Sequence, residues 1–574
     1  MKILNNYIVT IVLMLFLAMS YSCDDNIPIT GSNRYTEEYM WSSPSASRGM
    51  LMIAYTSWPS YYYGTFIAFG DEFLEVATDD ATSSNSASNA VSFSTGLLSA
   101  TNNKLDTWTA FYNKLKGVNL FLEKGLENQY YHVDSLTNAK YKRRFKGEAL
   151  TMRAWLHYNL LQRYAGLVDG EPMGIPIVTK SLTDEEALGM KRGTMMECVN
   201  QIVADCDSAL KIQDFPEDYE LGSTDLISGE AYIGAANKKI ARVIKTYVYL
   251  LSASPAFNIQ NNTALWDSVA QNAMLAIQSV DGIPNADALP ERDFYTRNGN
   301  ADVIWASSQN AANYNYELKN LPPSLYGNGF TNPSDELVRS YYDSKGYPIT
   351  KSTIYNEQDP YNARDSRLKR DILGNGMTYS GHLIETFDGG VDSPSSAGTP
   401  SKTGYYLRKF SSPDATLYPT NNRKNGKTNF VTRMSKTELY LIYAEAMNEL
   451  AGPTDNRYGF TAKDALSKVR KRAGFNPDPY MEEVALAGKI EFRKLIHNER
   501  RIELCFEGKR FWDLRRWLEP LNTTVSRVKI EIVNGVAVYR APQVVETKLF
   551  STPYLPIPLS ETVLIKGIKQ NDGW

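Results

Sequence analysis

Apolar residues recur three and four positions apart over most of this chain, and that period commits it to amphipathic helices whose stripes must be buried against another face. The spacing predicts helices over 108–126, 140–164, 195–210, 231–252 and 265–280, separated by loops. Two later helices carry their own punctuation. Ser435 with Glu438 reads as a capping box ahead of Leu439, Ile442, Tyr443, Ala446 and Leu450. Thr461 with Asp464 opens a run through Leu466, Val469 and Ala473 that Gly474 ends.

Ala444, Ala446, Ala465 and Ala473 leave room for close backbone approach, so these two helices are expected to pack antiparallel, as in arrays of the tetratricopeptide sort. No strict repeat at the ~34-residue period is legible, so the repeat is read as degenerate. Between 283 and 433 the pattern changes. Gly, Pro, Ser, Asn and Tyr become frequent, and short apolar runs such as Val303-Ile304-Trp305 and Tyr405-Tyr406-Leu407 read as strands. The expected fold is mostly α: a helix-pair scaffold, TPR-like, with an inserted loop-rich and partly β subdomain. A chain of 574 residues exceeds one compact core, and it divides into a helical region at 41–282, the insert at 283–433 and a second helical region at 434–574. Residues 393–401, rich in Ser and Pro, read as a loop tip.

The first residues add a targeting signal. Lys2 supplies positive charge, 8–19 form an apolar core, and Ser20-Tyr21-Ser22 lead to Cys23. Residues 1–22 are read as a signal peptide and 23–40 as a tether. The apolar run is too short to cross a bilayer, and no later stretch reaches ~20 continuous apolar residues. A Cys at the cleavage point resembles a bacterial lipobox, with Ser20 where Leu is usual, so Cys23 is the expected lipidation site. The other reading is an ordinary secretory signal followed by an incidental Cys. Asp24 and Asp25 resemble the export signal of surface lipoproteins in Bacteroidetes.

Charge is nearly balanced, with 61 Lys and Arg against 64 Asp and Glu, which leaves no basic field to attract nucleic acid. Cys198, Cys206 and Cys505 lack CxxC spacing and read as buried free thiols. The four His residues show no metal-binding or triad-like grouping, so no metal site and no catalytic residue is assigned.

Several segments, in order, resemble the SusD/RagB family of outer-membrane glycan-binding lipoproteins. In the first half these are Gly147-Glu148-Ala149 with Arg153-Ala154, then Gly174-Ile175-Pro176-Ile177-Val178. Asn332-Pro333-Ser334-Asp335-Glu336-Leu337 and Arg364-Asp365-Ser366-Arg367-Leu368 follow, with Ser366 where the family favours Pro. The most specific set comes last: Tyr443-Ala444-Glu445-Ala446, Val469 to Gly474, Glu499 to Glu503, Phe506 to Trp517, Leu555-Pro556-Ile557-Pro558, and a terminus in which Asp572 replaces a commoner Pro. The resemblance implies a SusD-like fold without catalysis, anchored in the outer membrane and facing the cell exterior. It also implies capture of oligo- or polysaccharide and a place as a lid on a SusC-like TonB-dependent transporter. The dense charge in the last motifs reads as structural, with Arg500 and Glu503, Glu507 and Arg510, and Asp513 and Arg516 forming an ionic ladder at helical spacing. Gly508 marks a kink or a close backbone approach.

A sugar ring presents apolar faces and a hydroxyl rim, so its site needs aromatic platforms beside amides and carboxylates. The chain has 37 Tyr and 9 Trp, and two stretches fit. The first holds Tyr61, Tyr62, Tyr63 and Asp71, followed by Glu72, Asp79, Asp80 and a Ser/Asn-rich loop ending near Phe93. The second holds Asn310, Tyr314, Tyr316 and Tyr326, just after Trp305, itself expected in a strand core. The competing reading of each Tyr is packing on the scaffold. Asp71, Glu72, Asp79 and Asp80 could instead supply the carboxylates of a glycosidase, and the helical array could hold a peptide. No cofactor is required, although a structural calcium is left open.

Overall fold

The computed structural model describes residues 37–56, 72–282, 284, 287–309, 312–396, 400–415, 417 and 426–574. The signal peptide, Cys23 and the tether up to residue 36 lie outside the described residues. The scaffold helices of the first half are α1 (Pro44–Met52), α2 (Trp108–Glu123), α3 (Ser135–Tyr164), α4 (Met195–Leu210), α5 (Lys238–Ala253) and α6 (Thr263–Asp281). Those of the last third are α7 (Lys436–Ala451), α8 (Ala462–Arg472), α9 (Pro479–Ala487), α10 (Lys489–Glu503) and α11 (Arg510–Trp517).

Side-chain caps set where several of these helices begin. Thr194 and Glu197 close a reciprocal box at the start of α4, and Thr461 and Asp464 do the same for α8. Ser435 caps α7 through the Glu438 N–H at 3.1 Å, but Glu438 does not reach back as the spacing predicted. Its carboxylate is drawn inward, accepting from the Tyr247 hydroxyl at 2.5 Å and pairing with Lys509 at 2.8 Å. The helix expected from residue 231 starts only at Lys238, because Asn237 caps the Ile240 N–H and Gly234 turns the chain at φ +99°.

Each helix from α2 to α6 packs against the next, and α6 packs on α7, so the chain leaves the stack after Asp281 and rejoins it at Lys436. The result is the expected mostly α scaffold of stacked helices, with a loop-rich and partly β stretch between its halves. Helix α7 also meets α8 and α10, and every residue from Thr437 to Glu449 is buried. A helix covered on all sides cannot keep a polar face, which explains its Tyr, Ala, Leu and Ile on every side.

The intervening stretch holds short strands, among them β2 (Val303–Ala306) and β3 (Thr331–Pro333). Strand β3 pairs antiparallel with β1 (Ala81–Ser83), and β2 with β4 (Thr432–Ser435). Trp305 is buried on β2 and donates its indole N–H to the Gly234 carbonyl at 2.9 Å, as a strand-core residue should. A long hairpin, β5 (Thr524–Val533) and β6 (Val536–Thr547), follows the last scaffold helix. Cys198, Cys206 and Cys505 are buried free thiols. Ser393 and Ser401, expected on a loop tip, are buried instead, and Ser401 Oγ donates to the Tyr405 carbonyl at 2.6 Å.

The charged C-terminal motifs do not form the expected surface ladder. Of its three pairs only Asp513–Arg516 is made, at 2.8 Å. Helix α10 ends at Glu503 and α11 starts at Arg510, so the turn between them, with Gly508 at φ +72°, redirects every other partner inward. Glu503 receives Arg367 and Arg472 at 2.8 Å each, with Arg292 at 3.7 Å. Glu507 takes Arg292 at 2.5 Å and Lys409 at 2.8 Å, and Asp513 also takes Arg500 at 3.1 Å. Burial opposes the charge on all three carboxylates. Their cations override it, holding Glu503 well below the usual range and Glu507 and Asp513 at about 2.

Removing one partner from such a network strands the others, so Glu503→Gln should cost about 3–5 kcal/mol in chemical denaturation. The folded pKa values of Glu507 and Asp513, at about 2, lie below those of the unfolded chain. Their stabilisation is therefore complete above about pH 4.5 and is lost as pH falls toward about 2, a loss readable as a falling melting temperature over that window.

Candidate functional site

The two stretches chosen for sugar binding lie far apart in sequence, and β1–β3 joins them. Ala81, Thr82 and Ser83 face Pro333, Asn332 and Thr331 across the pair. Ser84 extends it, donating its N–H to the Phe330 carbonyl and its hydroxyl to the Gly329 carbonyl, both at 3.0 Å. The Ser/Asn-rich loop 84–89 and the turn 326–330 therefore emerge from one edge. Ser86 and Asn89 are exposed polar positions there, and Asn85 is half-buried.

Tyr326 stands on this edge with half its surface exposed. It ends a short 3-10 turn, Pro323–Leu325, in the left-handed region at φ 61°. A bulky residue holds that conformation only when its surroundings impose it. Here the Tyr326 and Gly327 N–H groups donate to Pro323 and Pro322, and a Cβ on Gly327 would lie 2.0 Å from the Leu321 carbonyl oxygen. The turn thus needs glycine after the tyrosine and holds the ring outward.

Tyr316 is not a platform. It is 1% exposed, donates its hydroxyl to the Lys409 carbonyl at 2.5 Å and meets Phe73 and Phe410 edge-on at 6.1 and 6.3 Å. Tyr314 and Tyr316 alternate with Asn, which would put both on one face of an extended segment. The segment folds as the helix Asn315–Asn320, where residues two apart point about 200° apart. Tyr314, at its N-cap, is half-buried against a satellite core that includes Leu321, Leu325 and Tyr406. Tyr61, Tyr62, Tyr63, Asp71 and Asn310 lie outside the described residues.

The acidic cluster after Asp71 is structural where described. Glu72 accepts from Ser88 Oγ at 2.8 Å and the Ala90 N–H at 3.2 Å, and Glu75 accepts the Gly508 N–H at 2.7 Å. Arg501 binds Asp80 at 2.6 Å and Asp79 at 3.1 Å, while Arg510 binds Asp79 at 2.8 Å. Against burial, the two arginines hold Asp79 below its usual range; Asp80, fully buried beside it, is pushed up. Burial raises Glu75 to about 8. Neighbouring acids sharing one arginine inside the protein are not carboxylates facing each other across a substrate.

A cavity of about 360 Å³ lies inside the scaffold among Phe111, Trp155, Tyr247 and Trp512; of its acids, Glu438, Glu507 and Asp513 are paired with cations, and Asp106 accepts from the Tyr164 hydroxyl at 2.6 Å and the Trp108 N–H at 2.9 Å. A second concavity, of about 630 Å³, opens between residues 358–378 and the β5–β6 hairpin. The sequence reading missed it, because Tyr361, Arg408 and Tyr539 meet only after the hairpin folds back, and no local period or motif links them.

A stack of helices interrupted by a loop-rich, partly β stretch defines the class of fold, and comparison with known proteins gives the family. Residues 299–574 match the family model described as the SusD family, and residues 54–234 match one described as starch-binding associating with outer membrane. The chain belongs to the SusD/RagB family. SusD-like protein P38 of Formosa agariphila is 21% identical over 90% of this chain and 92% of its own. A crystallised SusD-like protein from Bacteroides fragilis shares 21% identity and a TM-score of 0.71, covering 94% of this chain and 99% of that one. A SusD-like carbohydrate-binding protein from the same species has 21% identity and a TM-score of 0.67, covering 92% of this chain and 100% of its own.

The two tyrosines separate packing from binding. Tyr316→Ala should cost about 3–5 kcal/mol of stability by opening a core cavity, whereas Tyr326→Ala should stay within about 1 kcal/mol, both read by denaturant titration.

Proposed function

We propose that this chain is a surface lipoprotein that captures oligo- or polysaccharide on the edge carrying loop 84–89 and Tyr326, and passes it to a SusC-like TonB-dependent transporter. The carrying observation is the β1–β3 pair, which brings a half-exposed aromatic ring and a Ser/Asn-rich loop onto one edge, the combination a pyranose needs. Family membership, the outer-membrane description of one matching model and the carbohydrate-binding relative support the same reading. Among the described residues no helix is long and apolar enough to cross a membrane, which agrees with attachment through Cys23. Binding without hydrolysis is favoured because Asp79 and Asp80 are engaged by Arg501 and Arg510.

A glycan array should identify retained oligosaccharides without the appearance of new reducing ends; cleavage products would make the protein an enzyme. Tyr326→Ala should then weaken the retained glycan about fivefold, the loss of one stacked ring worth ~1 kcal/mol. In cells, Cys23→Ser should move the protein from the outer-membrane fraction to the soluble one. Unchanged membrane recovery would reject the lipid anchor.

A further inference from the structure

The groove between residues 358–378 and the hairpin has a chemistry of its own. Tyr361 and Tyr539 meet edge-on in its wall, with ring centroids 5.9 Å apart. Gln358 fixes that wall by bonding both ways to the Tyr539 backbone, donating to the carbonyl and accepting from the N–H at 3.0 Å each. Lys369 and Arg408 line the same groove. Arg408 donates to the Lys369 carbonyl at 2.6 Å and covers the Tyr379 ring at 5.2 Å, so its guanidinium is held in place.

Among the described residues neither Lys369 nor Arg408 has a carboxylate within ion-pairing distance, and Asp359 is the one acid in the described lining. The cations nearby in sequence do have partners: Arg370 has Asp371 at 2.7 Å, and Arg540 has Glu531 at 2.9 Å. Amides complete the groove. Asn362 and Asn375 line it; the Asn375 carbonyl oxygen accepts the Thr386 N–H at 3.0 Å and its side chain also bonds the Tyr539 side chain, which fixes the tyrosine wall. Two unpaired cations beside amides and a tyrosine wall match a polar ring that carries a negative group.

We infer that this groove binds an acidic saccharide residue, one bearing a carboxylate or a sulfate. Lys369 and Arg408 take the anion, Asn362 takes hydroxyls, and the Tyr539 side chain borders the ring. The inference rests on the saccharide reading above, but the groove shares no residue with the Tyr326 edge.

Calorimetry on the full chain in detergent tests it with tetragalacturonate, which carries only carboxylates, a κ-carrageenan tetrasaccharide, which carries only sulfates, and neutral laminaritetraose. At least one acidic probe should bind, and the one that does identifies the anion. Lys369→Gln and Arg408→Gln should each weaken it about tenfold, and salt raised to about 0.5 M should weaken it further. Lys369 is exposed, so its variant should keep the wild-type circular dichroism. Failure of both acidic probes to bind, or binding indifferent to both substitutions, overturns the groove assignment. Should neutral glycans on an array still be retained in that case, the carbohydrate reading stands; should no saccharide of any kind be retained, that reading falls as well.

Discussion

Glu503 closes α10 inside the protein, where it meets Arg292, Arg367 and Arg472, guanidinium groups from distant parts of the chain. A carboxylate taken out of water costs several kcal/mol unless cations and hydrogen bonds replace the lost hydration. Each arginine is under the same constraint, so none can be buried alone. The cluster continues through Arg367 and Arg470 to Glu499, and through Arg292 and Lys409 to Glu507. It ties α8, α10 and the loop-rich stretch into one assembly, and its tight geometry follows from that interdependence.

The same logic reaches the N-terminal side. Asp79 and Asp80 stand just before β1, and Arg501 and Arg510, at either side of the turn after α10, hold them. The Gly508 amide binds Glu75 in the same region. Loop 84–89 is thereby anchored at its base to a buried ion network, while its tip remains at the surface. An edge built this way can vary its exposed residues without disturbing the frame beneath it.

The scaffold was largely legible from sequence, since helix period, the Ser435 and Thr461 caps and the small residues of α7 are local signals that tertiary contacts reinforced. The site was legible in part. The two stretches were identifiable by composition, but which tyrosine faces outward was not. Tyr316 and Tyr326 look alike in sequence, and their fates differ because one enters a short helix facing the core and the other is held in a left-handed turn by the glycine that follows it.

The charged motifs divide the same way. The spacing of Arg500, Glu503, Glu507, Arg510, Asp513 and Arg516 predicted an ionic ladder along one helix, of which only the Asp513–Arg516 rung is made. It could not fix with whom they pair, because the break at Gly508 converts a continuous helical ladder into two helices that meet ions from elsewhere. Sequence by itself determined the helical period, the free buried thiols and the family-bearing motifs, since each depends on residues within a turn or two of one another. Only the tertiary structure decided the ion partners, the edge that joins residues 84 and 330, and the groove between Arg408 and Tyr539. Those are contacts across long stretches of chain, and their energies exist only once the whole fold has excluded water from between them.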